Sequence, residues 1–341
     1  MKLKMGDLGE RRILREIIPK YVSSVGDDCA SIAVSQPYVV ITTDPVPRPA
    51  AQVIGGNGDL FWMGWLLVTI NASDVAAAGA RPSSFLAALD LPTELAIEDF
   101  ERLLLGISKS CGANGLRYAG GNLREADTIS AVGTAMGVSE TPPLTRRGAQ
   151  QGDLLVVVGH GGRFWADVEA MRMGRKLVPE HSPVFAPVSQ SNHMYLLHEQ
   201  GLIRCATDTS DGLAPSLVEL AQVNGMTLQV RLEPMRRESA IPHIREERFW
   251  MGWGDWTVLA AVPPRALTAL EQTLRGIGSA WTVIGHFEAG VPSVWLHDGS
   301  DRCALGRLES ERFAADSWFK LGIEEYRRRL LEFPLPGDVA A

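Results

Sequence analysis

Residues 60–79 read Leu60-Phe61-Trp62-Met63-Gly64-Trp65-Leu66-Leu67-Val68-Thr69-Ile70-Asn71-Ala72-Ser73-Asp74-Val75-Ala76-Ala77-Ala78-Gly79. The run predicts a helix, with Asp59 as its N-cap and Gly79 as its stop. It is apolar nearly all round, so the helix is expected to be buried. Yet it carries Asn71 and Asp74, three apart and therefore on one face. A buried carboxylate is costly unless it is paired, hydrogen-bonded or bound to a cation. Just upstream, Tyr38-Val39-Val40-Ile41-Thr42-Thr43-Asp44 reads as an apolar strand that closes on a second carboxylate. Strand ends are where α/β proteins place their sites. The two aspartates set fold class and chemistry together.

Outward from this pair, strands and helices alternate. Met5 to Tyr21 reads as an amphipathic helix and Pro45 to Gly58 as a loop. Strands follow at Pro82–Leu91, Leu116–Gly120 and Ile129–Val138, with a helix at Glu98–Gly112. The second half begins with the apolar strand Leu154–Val158. It continues with helices at Arg163–Gly174, Val188–Gly201 and Leu213–Gly225, and strands at Met226–Leu232, Trp256–Val262 and Trp281–Phe287. Glu309 to Phe333 reads as a charged C-terminal helix, its Arg327-Arg328-Arg329 run a solvated face. This order argues for an α/β (α+β) fold. Three parts are expected: an N-terminal domain over 1–142, a C-terminal α/β domain over 143–305, and a helical extension over 306–341.

Composition narrows the class. A chain of 341 residues is too long for one small core. A net charge of −7 lacks the basic footprint of a nucleic-acid binder. Cys29, Cys111, Cys205 and Cys303 show neither C-x-x-C nor zinc spacing and read as reduced thiols. The first twenty residues hold no signal-peptide core, and the apolar run Leu60–Ile70 is too short to span a bilayer. The expectation is a cytoplasmic protein with no membrane partner.

Further aspartates recur at positions an ordinary fold does not require. Asp27 and Asp28 lie in Gly26-Asp27-Asp28-Cys29-Ala30, which also reads as a simple turn. Asp208 and Asp211 frame Thr207-Asp208-Thr209-Ser210-Asp211-Gly212 before a helix. Ser210 or Asp211 there is an N-cap, or the helix start receives phosphate; the sequence leaves both open. Gly120-Gly121-Asn122 and Gly159-His160-Gly161-Gly162 follow strands and bring backbone close to a ligand, or simply turn the chain. No G-x-x-x-x-G-K-[ST], G-x-G-x-x-G or G-x-S-x-G motif is present. A nucleotide enzyme without a P-loop holds its phosphates through metals and loop amides. A surplus of hard oxygen ligands suits Mg²⁺ in that role.

The ordered motifs Gly26-Asp27-Asp28-Cys29-Ala30, Thr42-Thr43-Asp44, Asn71 to Pro82, Gly120-Gly121-Asn122, Leu144-Thr145-Arg146-Arg147-Gly148-Ala149 and Asp208-Thr209-Ser210-Asp211-Gly212-Leu213 resemble thiamine-monophosphate kinase. More widely they are similar to the superfamily of aminoimidazole ribonucleotide (AIR) synthase, selenophosphate synthetase and the hydrogenase-maturation carbamoyl dehydratase. The resemblance runs from about residue 5 to 300 and implies a homodimer, its N-terminal strands paired across a two-fold axis. It implies ATP and several Mg²⁺ in a cleft between two domains. Carried over motif by motif, Asp27, Thr43, Asp44, Asp74, Asp208 and Asp211 become metal ligands. Ser210 and Arg146 contact ATP, Gly121 and Asn122 lie beside its phosphates, and Asp211 and Arg146 are the catalytic pair.

Departures from the kinase pattern point away from its substrate. Asn122 stands where the pattern has Asp. Gly254-Asp255-Trp256-Thr257-Val258-Leu259 stands for Gly-Glu-Asp-Tyr-Glu-Leu, and Pro45-Val46-Pro47-Arg48 lacks the expected histidine. The sequence therefore predicts an ATP- and Mg²⁺-dependent phosphoryl-transfer enzyme acting on a small-molecule acceptor other than thiamine monophosphate. Two alternatives stand beside it: AIR-synthase-like activation of an amide or carbonyl oxygen, and a nucleotide-binding homodimer without catalysis.

Overall fold

The computed structural model describes residues 4, 16–21, 35, 37–236, 241, 244–308 and 318–338. Asp27, Asp28, most of the expected Met5–Tyr21 helix and the start of the expected C-terminal helix lie outside the described residues. Contacts divide the chain into two compact units, Met1–Pro143 with Pro179–Tyr195, and Leu144–Val178 with Leu196–Ala341.

The first unit runs β1 (Tyr38–Pro45), α1 (Ala50–Val53), α2 (Leu60–Ala77), β2 (Arg81–Leu91), α3 (Ile97–Ala113), β3 (Arg117–Glu125) and β4 (Ser130–Ser139). Its strands form one sheet in the order β1-β4-β2-β3. Only β2–β3 is parallel, and α3 supplies the crossover that a parallel pair needs. One face of the sheet packs on the helices, where Phe85, Ala87 and Leu89 of β2 meet Leu67, Val68 and Val75 of α2 and Phe100, Leu104 and Ile107 of α3. The other face leaves Val39, Ile41 and Val132 exposed, Ile41 at 63%.

An all-apolar helix needs cover on every side, and α2 finds it in three places. The sheet lies on one side. On another, α3 crosses so closely that a Cβ at Gly64 would sit 2.2 Å from Leu103 O, and one at Gly106 2.0 Å from Phe61 O. The third cover is the segment Pro179–Tyr195. Trp65 Nε1 and Thr69 Oγ1 both donate to Pro187 O, at 2.6 and 2.9 Å. Ser189 Oγ donates to Asn114 Oδ1 at 2.7 Å, and Asn192 Nδ2 to Ala113 O at 3.1 Å. By length and composition α2 is able to cross a bilayer, contrary to the expectation from Leu60–Ile70 alone, but 67% of the stretch is buried within the protein. It is a core helix.

The second unit holds β5 (Leu154–Val158), α4 (Arg163–Arg172), α5 (Ser191–Glu199, which begins in the first unit), β6 (Cys205–Asp208), α6 (Leu213–Asn224), β7 (Met226–Arg231) and α7 (Glu247–Met251). Then come β8 (Val258–Val262), α8 (Leu267–Gly276), β9 (Trp281–Ala289), β10 (Ser293–Asp298), β11 (Asp301–Ala304), α9 (Trp318–Leu321) and α10 (Ile323–Leu331). Seven strands form one sheet in the order β11-β10-β7-β9-β5-β8-β6, with only the β7–β10 pair parallel. Every residue of β8 is buried, as a central strand covered on both faces requires. Two sheets with flanking helices are the α/β (α+β) class that the alternation of elements predicts.

Several boundaries differ from the sequence reading. The loop after Asp44 contains α1. The strand expected over Leu116–Gly120 runs on to Glu125, so Gly120-Gly121-Asn122 lies inside β3 instead of after it. The strand expected from Trp256 begins at Val258, because Trp256 has φ 53°, outside any strand geometry. The helix expected from Val188 begins at Ser191. The described part of the C-terminal helix is two helices, broken at Gly322 with φ 86°. The sequence reading contains no counterpart of β6, α7, α8, β10 or β11.

The α2–α3 crossing is tight enough to test. Gly106→Ala puts a methyl group against the Phe61 backbone, which cannot yield as a side chain does. The variant is expected to lose about 1–3 kcal/mol of stability. Urea unfolding with an unchanged slope and a lower midpoint is the signature; an unaltered midpoint contradicts the close crossing.

Candidate metal and nucleotide site

In the first unit, alternation along β1 turns Thr42 and Asp44 toward α2. Asn71 and Asp74 meet them from the helix. Thr42 Oγ1 donates to Asp74 Oδ2 at 2.6 Å, and the Asp44 amide donates to Asn71 Oδ1 at 3.0 Å. Asn71 Nδ2 returns to Leu67 O at 2.9 Å, so this fully buried amide is satisfied at both ends. The result places two half-buried aspartates on one helix–strand contact, Asp44 near the end of β1 and Asp74 on α2. Thr42 is the residue that sequence reasoning missed. The motif Thr42-Thr43-Asp44 contains it, but the resemblance points to Thr43.

Thr43, by the same alternation, faces the other way. Its hydroxyl donates to Gly133 O at 2.8 Å and accepts from Thr134 Oγ1 at 3.2 Å. The structure does not bring its side chain to Asp44 and Asp74. Gly121 and Asn122 lie in β3, paired with Ala87 and Ala88 of β2. Gly121 has φ 154°, and a Cβ there would lie 1.8 Å from Ala87 O. Close strand packing after the bulge at Phe85/Leu86 is thus sufficient reason for that glycine.

In the second unit Asp208 ends β6, 7% exposed, and Ser210 and Asp211 stand exposed in the loop that follows. The N-cap of α6 is Gly212, with φ 106° and no capping side chain. Ser210 and Asp211 precede that position in the chain. Thr209 anchors the loop: its amide donates to Thr257 O at 3.0 Å, and its hydroxyl lies 2.8 Å from Thr257 Oγ1. Ser216 Oγ donates to both Asp208 O and Gly212 O. Arg146 pairs with Glu219 of α6 and keeps 54% of its side chain exposed. Asn224 fastens the same strip, accepting from the Gly148 and Ala149 amides and donating to Arg146 O. Arg146, Ser210 and Asp211 therefore belong to one assembly around α6. Glu219, Asn224 and Thr257 carried no sequence signal.

The loop Gly159-His160-Gly161-Gly162 is built for packing. Asp255 accepts from the Gly162 amide at 2.6 Å and the Phe164 amide at 2.7 Å, satisfying the donors at the start of α4. A Cβ on Gly161 would lie 2.2 Å from the Trp250 ring. Gly254, at φ 115°, lies under Phe164, whose ring would be 2.3 Å from a Cβ. Burial pushes the Cys205 thiol up to about 12, which leaves it an inert core residue. Cys29 lies outside the described residues.

The donor chemistry can be weighed against Mg²⁺. Among the described residues no three His, Cys, Asp or Glu side chains form a cluster able to hold a metal alone. What they offer is hard carboxylate oxygen in two places, Asp44 and Asp74 on the β1–α2 contact and Asp208 and Asp211 in one loop. Mg²⁺ is commonly held by one or two carboxylates, with water and substrate phosphates completing the shell. The residues fit.

Comparison with known proteins matches this frame. Residues 26–139 match the family model for AIR synthase related protein, N-terminal domain, and residues 150–296 that for the C-terminal domain. The thiamine-monophosphate kinase of Rhodopirellula baltica is 30% identical over 278 residues, covering 76% of this chain and 82% of the relative. That of Methanospirillum hungatei is 28% identical over 275 residues, covering 80% and 92%. Among solved structures, hydrogenase maturation protein HypE in complex with ATP shares the fold. Its TM-score is 0.70 at 19% identity, and the match covers 91% of this chain and 98% of that one. With both domain models matched in order across most of its length, the chain belongs to the AIR synthase-related family, among its thiamine-monophosphate kinase relatives.

Proposed function

We propose that the chain is a cytoplasmic, Mg²⁺- and ATP-dependent phosphoryl-transfer enzyme whose acceptor is a small molecule other than thiamine monophosphate. The observation that carries the reading is the Asp44–Asp74 pair, oriented by Asn71 and Thr42 within an otherwise apolar helix–strand contact. Kinase relatives and an ATP-bound relative of the same fold support the use of ATP.

Phosphoryl transfer asks the protein for positioning and charge neutralisation more than for covalent chemistry. Asp44 and Asp74 of the first unit and Asp208 and Asp211 of the second would hold Mg²⁺, and Asp27 adds to the set by resemblance. Bound there, the cation supplies charge neutralisation on the phosphates. Ser210 offers a hydroxyl to the nucleotide. Arg146 exchanges Glu219 for phosphate oxygens, a modest cost because the exposed pair is a weak one.

The change of acceptor rests on Gly254 to Thr257. A side chain at Gly254 would collide with the Phe164 ring, and the neighbouring carboxylate, Asp255, is spent on the start of α4. A second reading, a nucleotide-binding dimer without catalysis, draws on Asn122 in place of an aspartate. Release of ADP in the presence of candidate acceptors separates the two.

Assembly belongs to the same proposal. The uncovered sheet face with Val39, Ile41 and Val132 is apolar, and β1 is an edge strand. Such a surface asks for a partner. A second copy meeting it face to face, in an isologous interface, satisfies both needs.

Three measurements test these statements. Asp44→Asn and Asp74→Asn are expected to weaken Mg·ATP binding about tenfold or more in calorimetry, with the fold kept. Parental affinity in both would remove the metal site. A coupled assay with thiamine monophosphate is expected to show little or no diphosphate formed; efficient turnover would make the chain an ordinary kinase of its family. Light scattering at low micromolar concentration is expected to give a mass of roughly 74 kDa, twice the chain, as an isologous pair requires. A clean monomer rejects the dimer.

A further inference from the structure

The Asp208–Asp211 loop does not stand alone, and its support reaches, through a neighbouring segment, to α10, beyond the part of the chain matched by the C-terminal family model, which ends at residue 296. The loop rests on the segment Met251–Thr257. Thr209 is tied to Thr257 through amide and hydroxyl, and a Cβ on Gly212 would lie 2.9 Å from Met251 O and 3.0 Å from the Gly252 carbonyl carbon. That segment is bent where bending is costly. Trp256 holds φ 53°, the only positive φ of a non-glycine residue among the described residues. Such a conformation persists only where the surroundings over-determine it.

The surroundings include α10. The Tyr326 ring, 2% exposed, stacks on Trp165 at 5.6 Å and lies 5.9 Å from the Trp253 ring. Trp165 Nε1 in turn donates to Trp253 O at 2.8 Å. Leu330 Cδ2 is 3.1 Å from the position of a Cβ on Gly252. Arg327 forms a bidentate pair with Glu169 of α4, itself 5% exposed, and Arg248 of α7 donates to Phe333 O at 2.8 Å. Asp255 closes the frame by tying the segment to the start of α4.

We propose that α10 buttresses the Asp208–Asp211 loop through Trp165, Trp253 and Gly252, and that Tyr326 is a positioning residue for nucleotide binding. Tyr326 is assigned an indirect part. It acts by holding Met251–Thr257 against Thr209 and Gly212. Removing its ring leaves a space beside Trp165 and Trp253 into which the strained segment relaxes, and the loop follows. The proposal rests on the nucleotide reading above and adds that the docking of α10 and nucleotide binding are linked. Linkage is reciprocal, so bound nucleotide must also strengthen the docking of α10.

The test uses the full chain. Mg²⁺ with a non-hydrolysable ATP analogue is titrated by calorimetry into the parent, Tyr326→Ala, Tyr326→Phe and Leu274→Ala, each at a temperature where circular dichroism shows it folded. Leu274 is fully buried in α8 and serves as a control for lost stability alone. Tyr326→Ala is expected to raise Kd about fivefold or more, the lower range of such couplings. Tyr326→Phe restores it and Leu274→Ala leaves it unchanged. Parental affinity in Tyr326→Ala overturns the proposal, as does an equal loss in Leu274→Ala. If Tyr326→Ala does not fold, hydrogen exchange on the parent decides: nucleotide must slow the amides of residues 323–331, and no change overturns the proposal. A parent chain that binds no nucleotide fails the functional reading itself, and this inference with it.

Discussion

The first unit depends on how an all-apolar helix tolerates two polar side chains. α2 is surrounded by protein, and an unsatisfied amide or carboxylate there would cost more than several ordinary contacts return. Asn71 and Asp74 escape that cost by reaching β1, where the Asp44 amide and the Thr42 hydroxyl meet them. The register between helix and strand follows, because a shift of one residue along β1 would turn Thr42 and Asp44 to the opposite face. The same polar contact that positions α2 also presents the two carboxylates. Structure and chemistry share one set of hydrogen bonds.

In the second unit a comparable role falls to a short, bent segment. Gly254 lies under Phe164, Asp255 closes the start of α4, and Trp256 carries a strained backbone. In the kinase pattern this stretch contributes a glutamate on the substrate side. Here a side chain at Gly254 has no room, and the carboxylate that remains is already committed to two amides.

Glycines illustrate how one residue type answers different physical demands. Gly64 and Gly106 allow two helix backbones to touch, and Gly121 lets β3 lie against β2. Gly161 and Gly162, which by composition alone suit a phosphate loop, instead make room for Trp250. A glycine-rich turn after a strand is compatible with both uses, because each needs only the absence of a Cβ. What lies opposite the missing atom decides, and that is a tertiary fact.

Much of this protein was legible in its sequence. Helical spacing marked α3, and continuous apolar runs marked α2, β1 and β5, since burial writes itself directly into the chain. Asp44 at a strand end and Asp74 in an apolar helix stood out in the chain, and the structure sets both on the β1–α2 contact. The α/β (α+β) class followed from the alternation of elements. Other features were settled only by tertiary structure. Thr43 and Thr42 are neighbours of equal chemistry, and only the face each occupies separates a partner of Asp74 from a hydroxyl spent on Gly133. Asp255 and Gly162 are 93 residues apart, as are many pairs that never meet. The union of Pro179–Tyr195 with the first unit has the same origin. Local patterns record which side of an element is buried, because burial acts residue by residue. They do not record what buries it, because that partner is chosen by the folded chain as a whole.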